Sequence, residues 1–372
     1  MRIAIIQGAF LPVPAIQGGA VEKIWYQMGQ EFAELGHEVI HISRSHPDLP
    51  DKEERKGVSY LRVSGYDTPA SLLKLKYLDF LYSFRAVKLI PKNIDVIVTN
   101  TFWSPLLLSE NRRKKTYIDV QRVPKGQMKY YTNAGVGLLR GCSPAICEAI
   151  KEEISEGFHS KVSYIPNPIP FDIKANPTRR EKVILFVGRL HPEKGVHVLL
   201  NAFNALDKDV RNEWKLQIVG PYEYKDGGGG QSYYDELLTL ASNSPIEFAG
   251  PVYDENQLID HYARASIFCY PAQDGSGDAA PVAPREAMAY GAVPVVSKLE
   301  CFNDFIADGK NGLCYQHTAE DQVKELTQAL SRLMTDETYL QRLSKEAKRV
   351  SVTYSLAIIA KRLLHDFNKI AV

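Results

Sequence analysis

EKVILFVGRLHPEKGVHVLLNAF, residues 181–203, reads as a strand, a loop and a helix in immediate succession. Residues 181–187 are rich in β-branched and aromatic side chains, and Gly188 closes the run. After the loop, Val196, Leu199, Leu200 and Phe203 recur at the spacing of one helix face. Arg189 stands just beyond the strand and Lys194 at the helix entrance. A guanidinium can clamp phosphate oxygens through two N–H groups, and a lysine adds a point charge. A helix N-terminus contributes unpaired N–H groups and the positive end of its dipole. The stretch is therefore a candidate diphosphate site.

The same rhythm extends on both sides. Downstream, LQIVG, IEFAG, SIFCYP, VPVVS and GLCY are further strand candidates. Upstream, RIAIIQG (2–8), HEVIHIS (37–43), DVIVTN (95–100) and KKTYIDV (114–120) read as strands. A helix is predicted over 21–36, with Val21, Ile24, Trp25, Met28, Phe32 and Leu35 at helical spacing. Short β-rich runs alternating with helices indicate mostly parallel sheets with crossover helices. Two such rounds predict an α/β chain of two doubly wound, Rossmann-like domains facing each other across a cleft. The proline-rich segment 165–181 reads as the linker. In doubly wound sheets ligands bind beyond the carboxyl ends of strands, which directs attention to the loops at 17–22 and 188–195.

A second loop carries carboxylates. GDAAPVAPREAMAYGAVPVV (277–296) contains two prolines between Asp278 and Glu286, so the two acids cannot share one helix. Pro284 suits a first helical turn, where its missing N–H does no harm, and Gly291 ends the helix. Glu286 then lies in the first turn, where it can accept hydrogen bonds from paired hydroxyls such as those of ribose. Asp278, in the preceding turn, is placed to reach sugar hydroxyls. Near the N-terminus, Gly18 and Gly19 allow close approach of a ligand to the backbone just before a helix. QGGAVEK does not match GxGxxG, which weakens a dinucleotide-dependent dehydrogenase.

Composition narrows the class. The 372 residues are 45% hydrophobic and 24% charged, which fits a globular protein. No apolar run approaches the roughly 18 residues of a membrane span. No cleavable leader is read in MRIAIIQGAF, so a cytoplasmic location is expected. The five cysteines form no CxxC pair and are expected to be reduced and packed. Net charge is +1, but residues 1–170 hold 22 Lys and Arg against 17 Asp and Glu, and the remainder 23 against 27. That split suits an anionic partner for the first half and is too mild for nucleic acid.

Taken together, these segments resemble the family-4 retaining glycosyltransferases, which have the GT-B fold. GG-A-V-E with LGHEV, SPAICEAI with IPNP, VGRLHPEKGVHVLLNAF, and Asp278 and Glu286 with seven residues between them followed by AMAYGAVPVV occur in the family's order. TYSLAIIAKRLLHDF (353–367) is similar to its last helix, which crosses back to the N-terminal domain. The resemblance implies an acceptor domain of residues 1–168 with 353–372 added, and a donor domain of 169–352. It implies that Arg189 and Lys194 hold the diphosphate of a nucleotide sugar, and that Glu286 binds the ribose and Asp278 the sugar. Val282 and Ala283 would line the donor site, and Gly19 would lie against the donor phosphates or the acceptor. The implied reaction is transfer with retention, without a metal cofactor, the leaving phosphate taking the acceptor's proton. Uridine is expected as the base, from family frequency.

Three positions depart from the family pattern. Asp278 replaces the usual glutamate and is shorter by one carbon–carbon bond, about 1.5 Å. Pro281 stands where a glycine is common and has no N–H to donate. Gln121 stands where a histidine commonly faces the donor sugar, with Asp119 the alternative under a shifted alignment. A glutamine can hydrogen-bond but cannot act as a base.

The acceptor side is less specified. Residues 71–92 mix Lys74, Lys76, Arg85 and Lys88 with Tyr77, Phe80, Leu81 and Phe84, which fits peripheral contact with an anionic inner-membrane face and a lipid-linked acceptor. Arg112, Arg113, Lys114 and Lys115 are candidates for the same face. Tyr130 and Tyr131 could stack on an acceptor sugar or pack internally. The four glycines at 227–230 are expected to form a mobile segment, a linker rather than a lid. Asp207-Lys208-Asp209 looks like a metal motif but reads as a helix end. The rival functions are a non-catalytic GT-B sugar-binding or assembly protein, which Asp278, Pro281 and Gln121 would suit, and a nucleotide-sugar epimerase, for which the first half offers few acids or bases beyond His46.

Overall fold

The structure, a computed structural model, describes residues 1–69, 71–173, 180–242, 244–273 and 279–371. The chain divides into two compact units: Met1–Phe171 with Tyr354–Val372, and Asp172–Thr353. Each holds one sheet, and both are α/β.

The first unit contains β1 (Arg2–Ile6), β2 (Glu38–Arg44), β3 (Lys52–Arg55), β4 (Val58–Val63), β5 (Val96–Thr99), β6 (Thr116–Val120), β7 (Leu138–Gly141) and β8 (Val162–Tyr164). They lie in the order β3-β4-β2-β1-β5-β6-β7-β8, with only β3 antiparallel to its neighbour. β1 is central because it is covered on both faces, Ile3 to Ile6 being fully buried. The helix Ala20–Glu34 packs Ile24, Trp25, Met28 and Phe32 inward. Against it lies the terminal helix Leu356–Asn368, whose Phe367 ring meets Phe32 at 5.5 Å and Tyr117 at 5.1 Å.

The second unit contains β9 (Glu181–Val187), β10 (Lys215–Val219), β11 (Ile246–Gly250), β12 (Ala265–Tyr270), β13 (Val293–Ser297) and β14 (Leu313–Tyr315). All are parallel, in the order β11-β10-β9-β12-β13-β14. In each unit the first strand, β1 or β9, is where the strand order reverses. The loop leaving that strand is thus the topological switch point at which such sheets bind ligands. These loops are 7–19 and 188–195.

Three sequence expectations change here. Strands β3, β4, β7 and β8 add to those expected: β3 is a charged edge strand, β7 and β8 are very short, and β4 alternates buried and partly exposed residues. The segment 165–181 is not all linker, since Ile165, Asn167, Ile169 and Phe171 are buried in the first unit. The glycines at 227–230 are packed rather than loose. Gly229 N–H donates to Leu190 O at 2.8 Å and Gly230 N–H to Tyr222 O at 2.7 Å. A Cβ on Gly228 would collide with the Tyr222 backbone, so small size, not looseness, explains the run. Asp207 caps the helix Lys208–Asn212, accepting from the Asp209 and Val210 N–H groups. The five cysteines are free thiols, four of them buried. Among the described residues no helix is long and apolar enough to cross a membrane.

Candidate active site

In the second unit, β9 delivers Arg189 into the switch-point loop. Its Nη1 donates to Gly227 O at 2.6 Å and its Nη2 to Glu193 Oε1 at 2.8 Å. Lys194 follows in the turn Pro192–Lys194, with its side chain buried and its Nζ 3.5 Å from the same Glu193 oxygen. Both cations therefore reach one anionic atom. The loop is held from below, because Glu193 O accepts from Gln273 N–H at 2.8 Å just beyond β12. The helix Val196–Asn204 begins immediately after Gly195.

Glu286 lies in the first turn of the helix Ala283–Tyr290, as the sequence implied, and Gly291 ends that helix in the left-handed conformation. Val282 is the helix cap and Ala283 its first residue; Val282 O accepts from Glu286 N–H at 2.9 Å. Glu286 is buried, and the Tyr262 hydroxyl donates to its Oε2 at 2.6 Å. Burial, reinforced by that carboxylate, raises the Tyr262 hydroxyl well above its ordinary pKa, so it remains a donor. Tyr262 comes from the helix Glu255–Arg264 and carried no sequence signal. Pro281 is buried beside Val282. Asp278 lies outside the described residues.

In the first unit, Gly18 and Gly19 both have positive φ, 80° and 102°, and Gly19 caps the helix Ala20–Glu34. Gln121 is committed to its surroundings. Its Nε2 donates to both Asp119 oxygens, at 2.9 and 2.8 Å, and to Asn167 Oδ1, and its Oε1 accepts from Asn167 Nδ2 at 2.9 Å. Asp119 is buried and also takes bonds from Trp25 Nε1 at 2.6 Å and from Arg140. Arg140 is itself fully buried and donates onward to Asn167 and Ile165 O. Asp119 thus belongs to a charged internal network, and the alternative of Asp119 as the sugar-facing residue is set aside. His46, the candidate base, lies 3.2 Å from Gln17 Nε2.

The paired tyrosines separate. Tyr131 is buried with its hydroxyl donating to Phe102 O at 2.8 Å, so it offers no ring to a sugar, whereas Tyr130 is exposed. The basic run at 112–115 is also redirected. Arg112 donates to Ile90 O and Pro91 O, Arg113 to Ala134 O and Leu108 O, and Lys115 to Ile94 O. These three tie loops together instead of forming an open cationic face. By contrast the helix Leu72–Ala86 exposes Leu73 (82%) and Tyr77 (61%) beside Leu72 and Phe84.

Two doubly wound units, each with its switch-point loop, define a GT-B glycosyltransferase fold, and solved glycosyltransferases of this fold match the chain with TM-scores from 0.66 to 0.77. Residues 169–350 match the Glycosyl transferases group 1 family. HepE of Anabaena, solved in complex with UDP and glucose, matches with a TM-score of 0.72 at 16% identity, over 98% of this chain and 99% of that one. The putative glycosyltransferase YtcC of Bacillus subtilis is 23% identical over 98% of this chain and 91% of its own length. Exopolysaccharide phosphotransferase SCO2592 of Streptomyces coelicolor is 29% identical over 204 residues, 54% of this chain but only 20% of that protein.

Proposed function

We propose that the protein is a retaining, metal-independent glycosyltransferase that moves a sugar from a UDP-sugar to a hydroxyl of a glycan, lipid-linked or small-molecule acceptor. The observation that carries this reading is the convergence of Arg189 and Lys194 on one oxygen of Glu193. Two cations that can share one carboxylate oxygen can share the oxygens of a diphosphate. The UDP found in HepE supports the choice of donor.

In the reaction the bond from the anomeric carbon to the diphosphate oxygen breaks, and the bond to the acceptor oxygen forms on the same face. The proton of the acceptor hydroxyl passes to the leaving phosphate. Negative charge grows on that phosphate, where Arg189, Lys194 and the positive end of the helix Val196–Asn204 stabilise it once Glu193 has been displaced. Glu286, held by Tyr262, takes the ribose hydroxyls, and Asp278 is assigned to the sugar. The two cations take the place of a divalent metal. The reaction belongs in the cytoplasm, at the membrane face if the acceptor is a lipid. The exposed Leu72, Leu73, Tyr77 and Phe84, with Lys74, Lys76 and Lys88 on the same helix and turn, suit contact with anionic lipid.

Titration calorimetry with UDP, GDP, ADP and dTDP, with and without Mg²⁺, tests the donor assignment. One base should bind without metal, and Arg189→Ala should weaken it about 10- to 100-fold, the worth of a lost charged hydrogen bond. A folded protein that binds none of the four nucleotides would sink the reading. Retention is checked by the anomeric configuration of the product.

A further inference from the structure

Three lysines from separate parts of the first unit converge on one hollow. Lys114 ends the short helix Glu110–Lys114, Lys161 directly precedes β8, and Lys369 follows the terminal helix. With Gly135, Gly137 and Ile370 they line a cavity of about 350 Å³, and among the described residues no carboxylate lines it. The walls are fixed by main-chain groups. Arg113 Nε donates to Ala134 O at 2.8 Å, Gly137 N–H to Arg113 O at 3.1 Å, and Lys161 Nζ to Val136 O at 2.6 Å. A Cβ on Gly137 would collide with Lys114 O and lie 3.0 Å from Ile370 Cγ2, so glycine is what lets these segments meet.

The charges around the hollow do not cancel. Lys114 pairs with Glu110 at 2.8 Å, but both side chains are more than half exposed, and such a pair is worth little. Lys369 pairs at 2.7 Å with Asp366, a carboxylate that the Tyr117 hydroxyl also bonds. Lys161 meets a neutral carbonyl, pairs with no carboxylate among the described residues, and is held below its ordinary pKa by burial. A concave site lined by one sign of charge concentrates counter-ions. Its place in the fold separates it from the switch-point loop. Lys114, Gly137 and Lys161 stand just before β6, β7 and β8, all parallel to β1 through β5. The hollow is therefore at the amino ends of these strands, opposite to the end from which the loop 7–19 leaves β1.

We propose that the hollow between Lys114, Lys161 and Lys369 is an anion site for a phosphate group, carried by a free phosphorylated compound or by a lipid headgroup. A phosphate group brings about two negative charges and three acceptor oxygens, enough to serve three ammonium groups, whereas a carboxylate brings one charge and two oxygens. Lysines are compact point charges without the planar fork that matches a carboxylate, which also favours the tetrahedral anion. The site is independent of the donor diphosphate, which is assigned to Arg189 and Lys194 in the other unit.

The experiment uses the whole protein labelled with carbon-13 at lysine Cε, with the Lys114, Lys161 and Lys369 signals assigned from their glutamine variants. It is titrated at constant ionic strength with inorganic phosphate, pyrophosphate, acetate and chloride. Phosphate or pyrophosphate should move the three signals together with one half-saturation, and acetate and chloride should not. Lys161→Gln and the exposed Lys114→Gln should each weaken that binding about 5-fold or more. Lys361→Gln removes the same charge from the terminal helix outside the hollow and should leave it unchanged. Signals that no phosphate compound moves, equal shifts with chloride, or equal weakening by Lys361→Gln would overturn the site. Co-sedimentation with phosphatidic acid vesicles gives the source of the phosphate. A loss in Lys161→Gln but not in Lys361→Gln assigns it to lipid, and equal sedimentation of all three proteins assigns it to a free phosphorylated compound. The Lys194 signal reports the donor loop separately, so failure there does not bear on this site.

Discussion

Arg189 Nη2 and Glu193 Oε1 lie 2.8 Å apart, and Lys194 Nζ is 3.5 Å from that same oxygen. Glu193 thus stands where a diphosphate oxygen would be wanted, and a donor must displace it. Glu193→Gln is expected to tighten UDP binding by roughly 3- to 10-fold, since a like charge is removed while Gly227 O still fixes Arg189. Calorimetry would show this directly. Weaker binding would instead mean that Glu193 holds the two cations in place.

Tyr262→Phe removes the hydroxyl that fixes Glu286 and leaves the rest of the ring in the core. Loss of a buried hydrogen bond to a charged group costs about 1.5–3 kcal/mol. UDP affinity should fall by roughly 10-fold or more, while free uracil, which lacks ribose, should bind neither better nor worse. Unchanged UDP binding would remove Glu286 from the ribose site.

Gly227 bears on the site through its backbone. Its φ is 78°, and a Cβ there would lie 3.0 Å from Arg189 Nη1. Gly227→Ala should cost about 1–2 kcal/mol of stability from the left-handed conformation alone. It should also weaken UDP binding, because Arg189 is displaced. A loose linker would tolerate the change in both assays.

Stability should depend on pH through two buried acids of the first unit. Burial raises Glu22 from 4.5 to about 7, and Asp79 from 3.8 to about 6 despite the Phe102 and Trp103 N–H groups it accepts. Above their ordinary pKa values the unfolded chain has released these protons while the folded one retains them. The folded state therefore loses stability from about pH 4 up to about 7, on the order of 3 kcal/mol for Glu22. In urea denaturation, Glu22→Gln should flatten the profile over that range. An unaltered slope would show that Glu22 titrates normally.

The helix Leu72–Ala86 gives a membrane prediction. Leu73→Glu combined with Phe84→Glu should markedly reduce co-sedimentation with phosphatidylserine vesicles, without altering UDP binding. Equal sedimentation of both proteins would exclude this face as the contact.

Much of the fold was legible locally. Continuous apolar runs marked β1 and β9, a period of 3.6 marked their following helices, and Gly188 and Gly291 marked the ends of a strand and a helix. The loop positions of Arg189 and Lys194 and the first-turn position of Glu286 were legible because strand ends and first helical turns have local signatures. The GGGG run was misread for a related reason: glycine signals permissiveness, and only the packed neighbours show whether it is used for looseness or for close approach. Tyr131 and the cations at 112–115 were ambiguous on the same ground, since sequence gives residue chemistry but not the direction it faces.

The sequence by itself determined two α/β units, the switch-point loops, the two cations in one of them and the acid in a first helical turn, because each depends on residues a few positions apart. Tertiary structure alone decided what holds them. Tyr262 reaches Glu286 across 24 positions and Gly227 reaches Arg189 across 38. Asp119 is enclosed by Trp25 and Arg140. Such pairs leave no periodic trace, since the chain between them is free to vary so long as packing brings the two ends together.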